Sequence, residues 1–264
     1  MNPTPYPITV TIITLNEEKT IASAIQSVQW ADEILIVDSG STDQTVEIAK
    51  KLGARVIYNP WPGYGKQKNF AQNQAQNDWV LNIDGDERIP PELAAEIQST
   101  LRQVTTKTLG FEDLCAMSFP RKTFYLGRWI RHGGWYPNVL TRLGNRKTCQ
   151  WSEPQVHEEL VVQGRTLRLQ NALEHFGFPS IHHQILTNLR FSKLGSEDLH
   201  RRGASGGLLK LLLKPLGKFI ETFFLKFGFL DGLPGFIISI NAAHSMFLKH
   251  AFLLEPKIRN KHQP

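Results

Sequence analysis

Three carboxylates crowd the end of one apolar run in this chain. Trp79-Val80-Leu81-Asn82-Ile83 leads directly into Asp84-Gly85-Asp86-Glu87, with a single glycine among the acids. Hard divalent cations such as Mg²⁺ and Mn²⁺ take oxygen ligands and commonly hold substrate phosphates as well, so Asp84 and Asp86 form a candidate metal-diphosphate site. Gly85 lets the backbone turn tightly and approach a ligand. The same residues also suit a solvated turn, because Asp-Gly is a turn-forming pair. Two more polar clusters sit behind apolar runs, Thr14-Leu15-Asn16-Glu17-Glu18 and Asp38-Ser39-Gly40-Ser41-Thr42-Asp43. Asp38 is a candidate acceptor of hydrogen bonds from a base or ribose, with Gly40 permitting close approach, while Ser41, Thr42 and Asp43 serve equally well as helix caps. Lys66 and Lys68 either face a diphosphate as point charges or stay solvated on a helix.

Periodicity identifies the elements that must carry these clusters. Ile8 to Thr14 is a β-branched run, and Ile21, Ile25 and Val28 follow it at helical spacing. Glu33 to Val37 and Arg55 to Tyr58 repeat the strand signal, separated by a helical stretch from Asp43 to Leu52. A loop rich in Pro and Gly (Pro60 to Gly65) then leads into a helix from Lys66 to Gln76, which delivers the chain to the strand before Asp84. Alternating strands and helices with continuous apolar strands predict a parallel α/β sheet covered on both faces. In such sheets ligands bind beyond the carboxyl ends of the strands, which gathers all three polar clusters on one rim.

Taken together and in order, these motifs resemble the nucleotide-sugar domain of family 2 glycosyltransferases with the GT-A fold: Thr14 to Glu18, Val37 to Asp43, Gln67-Lys68-Asn69 and Asp84 to Glu87. The likeness is nearer to bacterial lipopolysaccharide core β-glucosyltransferases through Gly127-Arg128-Trp129-Ile130-Arg131-His132-Gly133-Gly134-Trp135-Tyr136-Pro137 and Val156-His157-Glu158, with a weaker match at Gly228-Phe229-Leu230-Asp231-Gly232. The resemblance implies a Rossmann-like, mostly parallel mixed sheet in a catalytic domain over residues 1–190, and a helical, basic appendage over 191–264. It implies that Thr14, Asn16, Glu17, Asp38, Gly40, Lys68, Asp84 and Asp86 bind the donor. Asp86, Asp84 and His157 would hold Mg or Mn, with His175 an alternative to His157. Glu158 takes the role of base, with Glu159 its alternative, and Arg128, Trp135 and Tyr136 meet the acceptor.

The implied activity is inverting, metal-dependent transfer of one sugar, glucose from UDP-glucose in the first instance, to a lipopolysaccharide-type or lipid-linked glycan. Many relatives carry two consecutive acids after the second strand, where this chain has Asp38-Ser39. The Gln-x-x-Arg-Trp signature of processive synthases is absent from the sequence, which favours one sugar per acceptor. Alternatives are a polyprenyl-phosphate or exopolysaccharide sugar transferase, a nucleotide-sugar sensor, and a nucleic-acid-binding protein. The acidic rim argues against nucleic acid, since it repels phosphate unless a metal intervenes.

Between Pro120 and Pro137, Arg and Lys alternate with Phe, Tyr and Trp, a composition suited to a phosphorylated sugar acceptor, and Gly133-Gly134 suggests a flexible or tightly turned loop able to close over the donor. At 264 residues the chain can bury a full core. Cys115 and Cys149 lack metal-ligand spacing and read as free thiols in a reducing compartment, and the polar start Met1 to Pro7 has no signal-peptide pattern, so the expected location is cytoplasmic. Net charge is +6, yet residues 201–264 hold ten Lys/Arg against three Asp/Glu while residues 1–200 hold twenty against twenty-one. Leucines and phenylalanines from Leu208 onward are interrupted by Lys210, Lys214, Lys218 and Lys226, and Leu233 to Leu254 carries Asn241, His244, Lys249 and His250. Both stretches disfavour a membrane span and suit peripheral attachment to the anionic cytoplasmic face of the inner membrane, or else a packed helical subdomain.

Overall fold

The computed structural model describes residues 6–153, 158–204 and 206–261. In chain order the elements are β1 (Ile8–Thr14), α1 (Ile21–Ser27), β2 (Glu33–Asp38), α2 (Thr45–Lys51), β3 (Arg55–Tyr58), α3 (Tyr64–Gln74), β4 (Trp79–Asp84), β5 (Glu87–Arg88), α4 (Pro91–Thr105), β6 (Leu114–Tyr125), β7 (Arg128–Ile130), β8 (Asn138–Asn145), β9 (Cys149–Trp151), β10 (Leu160–Val162), β11 (Arg165–Arg168), β12 (Leu173–His175), α5 (Ile181–Arg201), α6 (Leu208–Ile220) and α7 (Gly232–Lys261). The chain divides into one unit of Met1–Arg121 with Val139–His175 and another of Lys122–Asn138 with Phe176–Pro264. The expected class is the one adopted: α/β, a mixed sheet of GT-A type whose first half is parallel, and a helical C-terminal region. The boundary expected at residue 190 differs, because that position lies inside α5 and the helical unit also takes in residues 122–138.

In the first unit β1 pairs in parallel with β2 on one side and β4 on the other, and β2 pairs with β3, giving the order β3-β2-β1-β4. The chain moves outward from β1 and then returns to its other side, so the strand order reverses between β1 and β4, where open α/β sheets bind ligands. All seven residues of β1 are buried. Ile8, Val10 and Ile12 pack on the side of α1 and α4 with Ile21, Ile25, Leu93 and Ile97, whereas Ile13, Leu35 and Val37 meet Ala71 of α3. A strand covered on both faces needs the continuous apolar, β-branched run that the sequence supplies. Register aligns Thr14 with Asp38 and Ile13 with Asp84, bringing the strand ends level.

The second unit is built on helices. The end of β6 pairs with β7 through Thr123, Phe124 and Tyr125. Asp231, 1% exposed, anchors the loop after β7: its carboxylate accepts the backbone N–H groups of Arg131 and His132, and its carbonyl accepts from Arg128. With Gly133 N–H donating to the Lys226 carbonyl and both Gly133 and Gly134 at positive φ, this loop is the tightly turned alternative and not the flexible one. Between α5 and α7 runs a polar seam at four-residue spacing. Gln184 accepts from Asn241, Ser192 bonds Ser245, and Gly195 lies under the Lys249 side chain. By length and composition the stretch Gly228–Pro256 is apolar enough to cross a membrane, with a mean hydropathy of 1.2. Its Asn241 and His250 are nonetheless buried within this unit. Leu208, Leu209, Leu212, Leu213 and Leu216 of α6 stay exposed.

Helix α3 positions the rim by an unusual means, since its buried stripe is polar. Asn69 makes a reciprocal pair with the backbone of β9, donating to the Trp151 carbonyl and accepting its N–H, both at 2.9 Å. Gln72 donates to the Cys149 carbonyl at 2.7 Å. Gly65 allows that approach, because a Cβ there would stand 2.0 Å from the Ser152 carbonyl oxygen. Gly65→Ala is therefore expected to cost about 1–3 kcal/mol or more through overpacking. Gly217→Ala, in open space on α6, should be neutral or stabilise by up to about 1 kcal/mol. Denaturant unfolding of the two variants checks the contrast.

Candidate active site

The loops behind β1 and β2 are stitched together side chain to backbone. Asn16, held at φ 58°, accepts the Thr42 N–H on its side chain and donates its own N–H to Ser41 Oγ, both at 2.9 Å. Glu17 N–H donates to Thr45 Oγ1, and Glu18 N–H to Asp43. A non-glycine residue in the left-handed region is strained, and persists here because both neighbouring loops hold it. Asp38 is 4% exposed and spends its carboxylate on the same task. Oδ2 accepts from Gly40 N–H and Ser41 N–H at 2.8 and 2.9 Å, and Oδ1 from the Thr14 and Ser41 hydroxyls. Four donors fill the acceptor capacity of a carboxylate. The carboxylate expected to meet a base or ribose thus also organises its own loop, and Gly40 serves this turn at φ 104°.

The turn after β4 separates its three acids. Glu87 is fully buried and closes the turn, accepting the Asp84 N–H at 2.9 Å and pairing with Arg121 at 3.2 Å. Asp84 lies between Arg142 at 3.1 Å and Lys68 at 3.6 Å. Burial pushes its carboxyl upward, but Arg142, Lys68 and Arg121 together override that and hold it well below the usual carboxylate range. Lys68, 1% exposed, is not the solvated lysine that the helix suggested. Its ammonium donates to Glu158 Oε1 at 2.6 Å and lies 4.7 Å from the centre of the Trp151 ring. Glu158, the expected base, thus shares one buried cation with Asp84, an expected donor ligand. Sequence reasoning missed Arg142, although an arginine in the run Val139-Leu140-Thr141-Arg142-Leu143 is the signal of an inward charge that needs acids beside it.

Asp86 points elsewhere, with its Oδ2 3.4 Å from His175 Nε2. Glu17 packs over the turn so closely that a Cβ on Gly85 would sit 3.0 Å from its Cγ, so this glycine makes room for a protein carboxylate. Burial first, then the charges of Asp86, Asp84 and Asp43, raise the Glu17 carboxyl above its ordinary value despite a hydrogen bond from Thr20. Acid is thus in excess at this edge of the rim. Among the described residues no three His, Cys, Asp or Glu side chains form a cage for a metal. Mg²⁺ or Mn²⁺ shared with substrate phosphates needs only one or two protein carboxylates, and a carboxylate beside an imidazole suits Mn²⁺. Asp86 with His175 fits that requirement. His157 lies outside the described residues. The expected acceptor residues belong to the second unit: Arg128 donates to the Asp231 carbonyl, Trp135 packs on Tyr125 and Phe178, and Tyr136 is half-buried.

Comparison with known proteins bears on this arrangement. Residues 9–110 match the model of glycosyl transferase family 2. An uncharacterised glycosyltransferase of Rickettsia conorii is 33% identical over 96% of this chain and 92% of its own length. The lipopolysaccharide core biosynthesis glycosyltransferase LpsC of Rhizobium meliloti is 30% identical over 97% of this chain and 93% of its own. Among solved structures, a glucosyl-3-phosphoglycerate synthase of Mycobacterium tuberculosis in complex with Mn²⁺, UDP and glucosyl-3-phosphoglycerate is 20% identical, covers 76% of this chain and 81% of that one, and has a TM-score of 0.45.

The excess of acid around Glu17 has a pH signature. An acid whose carboxyl is raised on folding costs stability once ionised, so its burden is absent below the ordinary carboxylate value and grows as pH rises through the raised one. Without metal, Glu17→Gln should therefore gain stability over the parent between about pH 4.5 and pH 7.5, with little difference at the acid end. Mn²⁺ should raise the parent Tm more at pH 7.5 than at pH 4.5, and raise that of Glu17→Gln less. Thermal unfolding at the two pH values, with and without Mn²⁺, measures both.

Proposed function

The chain belongs to glycosyl transferase family 2, and we propose that it carries out an inverting, metal-dependent transfer of a single sugar, glucose from UDP-glucose, onto a lipopolysaccharide-type or lipid-linked glycan. One observation carries the mechanistic part: buried Lys68 ties Glu158, the base, to Asp84 at the mouth of the donor rim. Glu158 Oε1 is held by the ammonium, while Oε2 takes no hydrogen bond among the described residues and is available to an acceptor hydroxyl. In the reaction the acceptor oxygen attacks the anomeric carbon, its proton passes to Glu158, and the bond from that carbon to the diphosphate breaks on the opposite side. Asp86 and His175 would hold a divalent cation, which when bound would neutralise the leaving diphosphate. Thr14, Asn16 and Asp38 hold the loops that would meet the nucleotide, and the Glu17 carboxylate would add to the negative charge that attracts the cation.

Similarity to LpsC over nearly the whole chain supports a lipopolysaccharide-type acceptor. Lack of the processive signature supports transfer of one sugar per acceptor. Exposed leucines of α6 interleaved with Lys210, Lys214 and Lys218 support peripheral attachment to the anionic cytoplasmic face of the inner membrane, where such an acceptor is anchored.

Two measurements test this reading. Glu158→Gln should lower kcat by on the order of 100-fold or more while leaving the affinity for UDP with Mn²⁺ unchanged. Activity retained in Glu158→Gln and lost in Glu159→Gln would move the base by one residue. In sedimentation, the full chain should bind anionic vesicles, release partly in high salt and need detergent for the remainder, since each Lys or Arg near the surface contributes about 1 kcal/mol that salt screens. Lys210→Glu, Lys214→Glu and Lys218→Glu combined should weaken vesicle binding with UDP affinity intact.

A further inference from the structure

A cavity of about 350 Å³ opens within the helical unit and falls in the range of small-molecule sites, roughly 300–1,000 Å³. Its polar wall is made by Gln184 and Asn188 of α5, Lys218 of α6, and Ser245 and Lys249 of α7, with the Trp135 ring forming part of the remainder. No carboxylate lines it. The seam between α5 and α7 explains why such groups are here at all, because the four-residue spacing that builds it aims every polar side chain inward. Gln184 is 2% exposed, and its amide oxygen already accepts from Tyr125 and Asn241. The amide nitrogen is left as a donor without a partner among the described residues. Lys218 is steadied by Glu221 at 3.0 Å, and the Lys249 side chain is laid over Gly195 with no ion-pair partner among the described residues.

We infer that this cavity is a binding site for a phosphate monoester carried on a sugar or on a lipid headgroup. Two ammonium groups, two carboxamides and a hydroxyl converge from three helices, which matches the three oxygens and nearly double charge of a phosphate better than the two coplanar oxygens of a carboxylate. Trp135, backed by Tyr125 and Phe178, offers a ring face to the C–H side of a sugar. The neighbouring field has the right sign. Burial first, and then Lys210, Lys214 and Lys249, push the His250 imidazole below its ordinary value, so cations of both α6 and α7 act on this neighbourhood. Placed in the transferase reading, on which this last step rests, the site holds the phosphate of a phosphorylated acceptor. The binding itself is independent of turnover.

Calorimetry on the full chain provides the test, with glucose 6-phosphate as the soluble probe, glucose as its neutral counterpart, and vesicles of phosphatidylcholine with and without phosphatidate as the lipid probe. The parent should bind glucose 6-phosphate saturably and glucose not at all. Lys218→Gln with Lys249→Gln should weaken that binding by at least about tenfold, whereas Lys210→Gln with Lys214→Gln, which removes equal charge outside the cavity, should change it less than about twofold. If the headgroup is the natural source, glucose 6-phosphate will bind only weakly and the parent will prefer phosphatidate vesicles to phosphatidylglycerol vesicles of equal charge; Lys218→Gln with Lys249→Gln will lose that preference, whereas Lys210→Gln with Lys214→Gln will weaken binding to both vesicles and keep it. Asn188→Asp keeps the volume of the wall and adds a negative charge, so it too should abolish binding and does not depend on the lysine pair folding well. Equal loss of glucose 6-phosphate affinity and of the phosphatidate preference in both lysine pairs, or no saturable binding of either probe to the parent, overturns the inference. UDP affinity with Mn²⁺, measured on the same samples, reports the donor rim separately.

Discussion

A lysine ammonium with almost no access to water cannot stand alone, and much of the first unit is arranged to meet that condition. Lys68 satisfies it with Glu158, with Asp84 and with the face of Trp151. Removing one partner from a buried pair costs about 3–5 kcal/mol, because the remaining charge is left without compensation. The consequence is mutual dependence between distant segments. α3, the end of β4, β9 and the residues preceding β10 each contribute one part of an arrangement in which no part is comfortable without the rest. Arg142 repeats the logic one layer deeper, where Asp84 and Glu87 share its guanidinium.

Charge is balanced in that interior and unbalanced at its edge. Asp84, Glu87 and Glu158 are answered by Lys68, Arg121 and Arg142, whereas Asp86 is met by His175 and Glu17 lies among the charges of Asp86, Asp84 and Asp43. A rim built this way is held by paired charges around Lys68 and Arg142 and carries excess acid around Glu17 and Asp86. The loops that present it are fixed by Asn16, Asp38 and Thr45 to each other, so ordering does not wait for the donor. Preorganisation of this kind reduces what binding must spend on ordering.

The parallel half of the sheet was legible because a doubly covered strand has only one way to look: β1 to β4 each emerge within a residue or two of their apolar runs. The helix between β3 and β4 was legible as an element but not in its burial. Its buried residues include Gln67, Lys68 and Gln72 beside Gly65 and Ala71, and a reading that equates buried with apolar puts those three polar residues outside. The part Asp38 plays in its own turn was hidden for a related reason, since a carboxylate after a strand looks identical in sequence whether or not its lone pairs hold that turn. In the C-terminal region the many leucines concealed the polar seam. Gln184, Asn188 and Ser192 repeat at intervals of four on α5, as do Asn241, Ser245 and Lys249 on α7, but the repeat has meaning only once the two helices are known to face each other.

The reciprocal bonding of Asn69 to the backbone of Trp151 bears on how the protein behaves in solution. β9 pairs with β10 on one side alone, and its opposite side would otherwise present open N–H and C=O groups to any extended chain that came near. Such an unprotected margin is where chains join into aggregates. By lending a carboxamide that mimics a neighbouring strand, and a second through Gln72, α3 closes the margin without adding a strand to the sheet. The helix that buries the lysine therefore also guards the fold against association with its own copies, and loosening its seat would expose both liabilities at once.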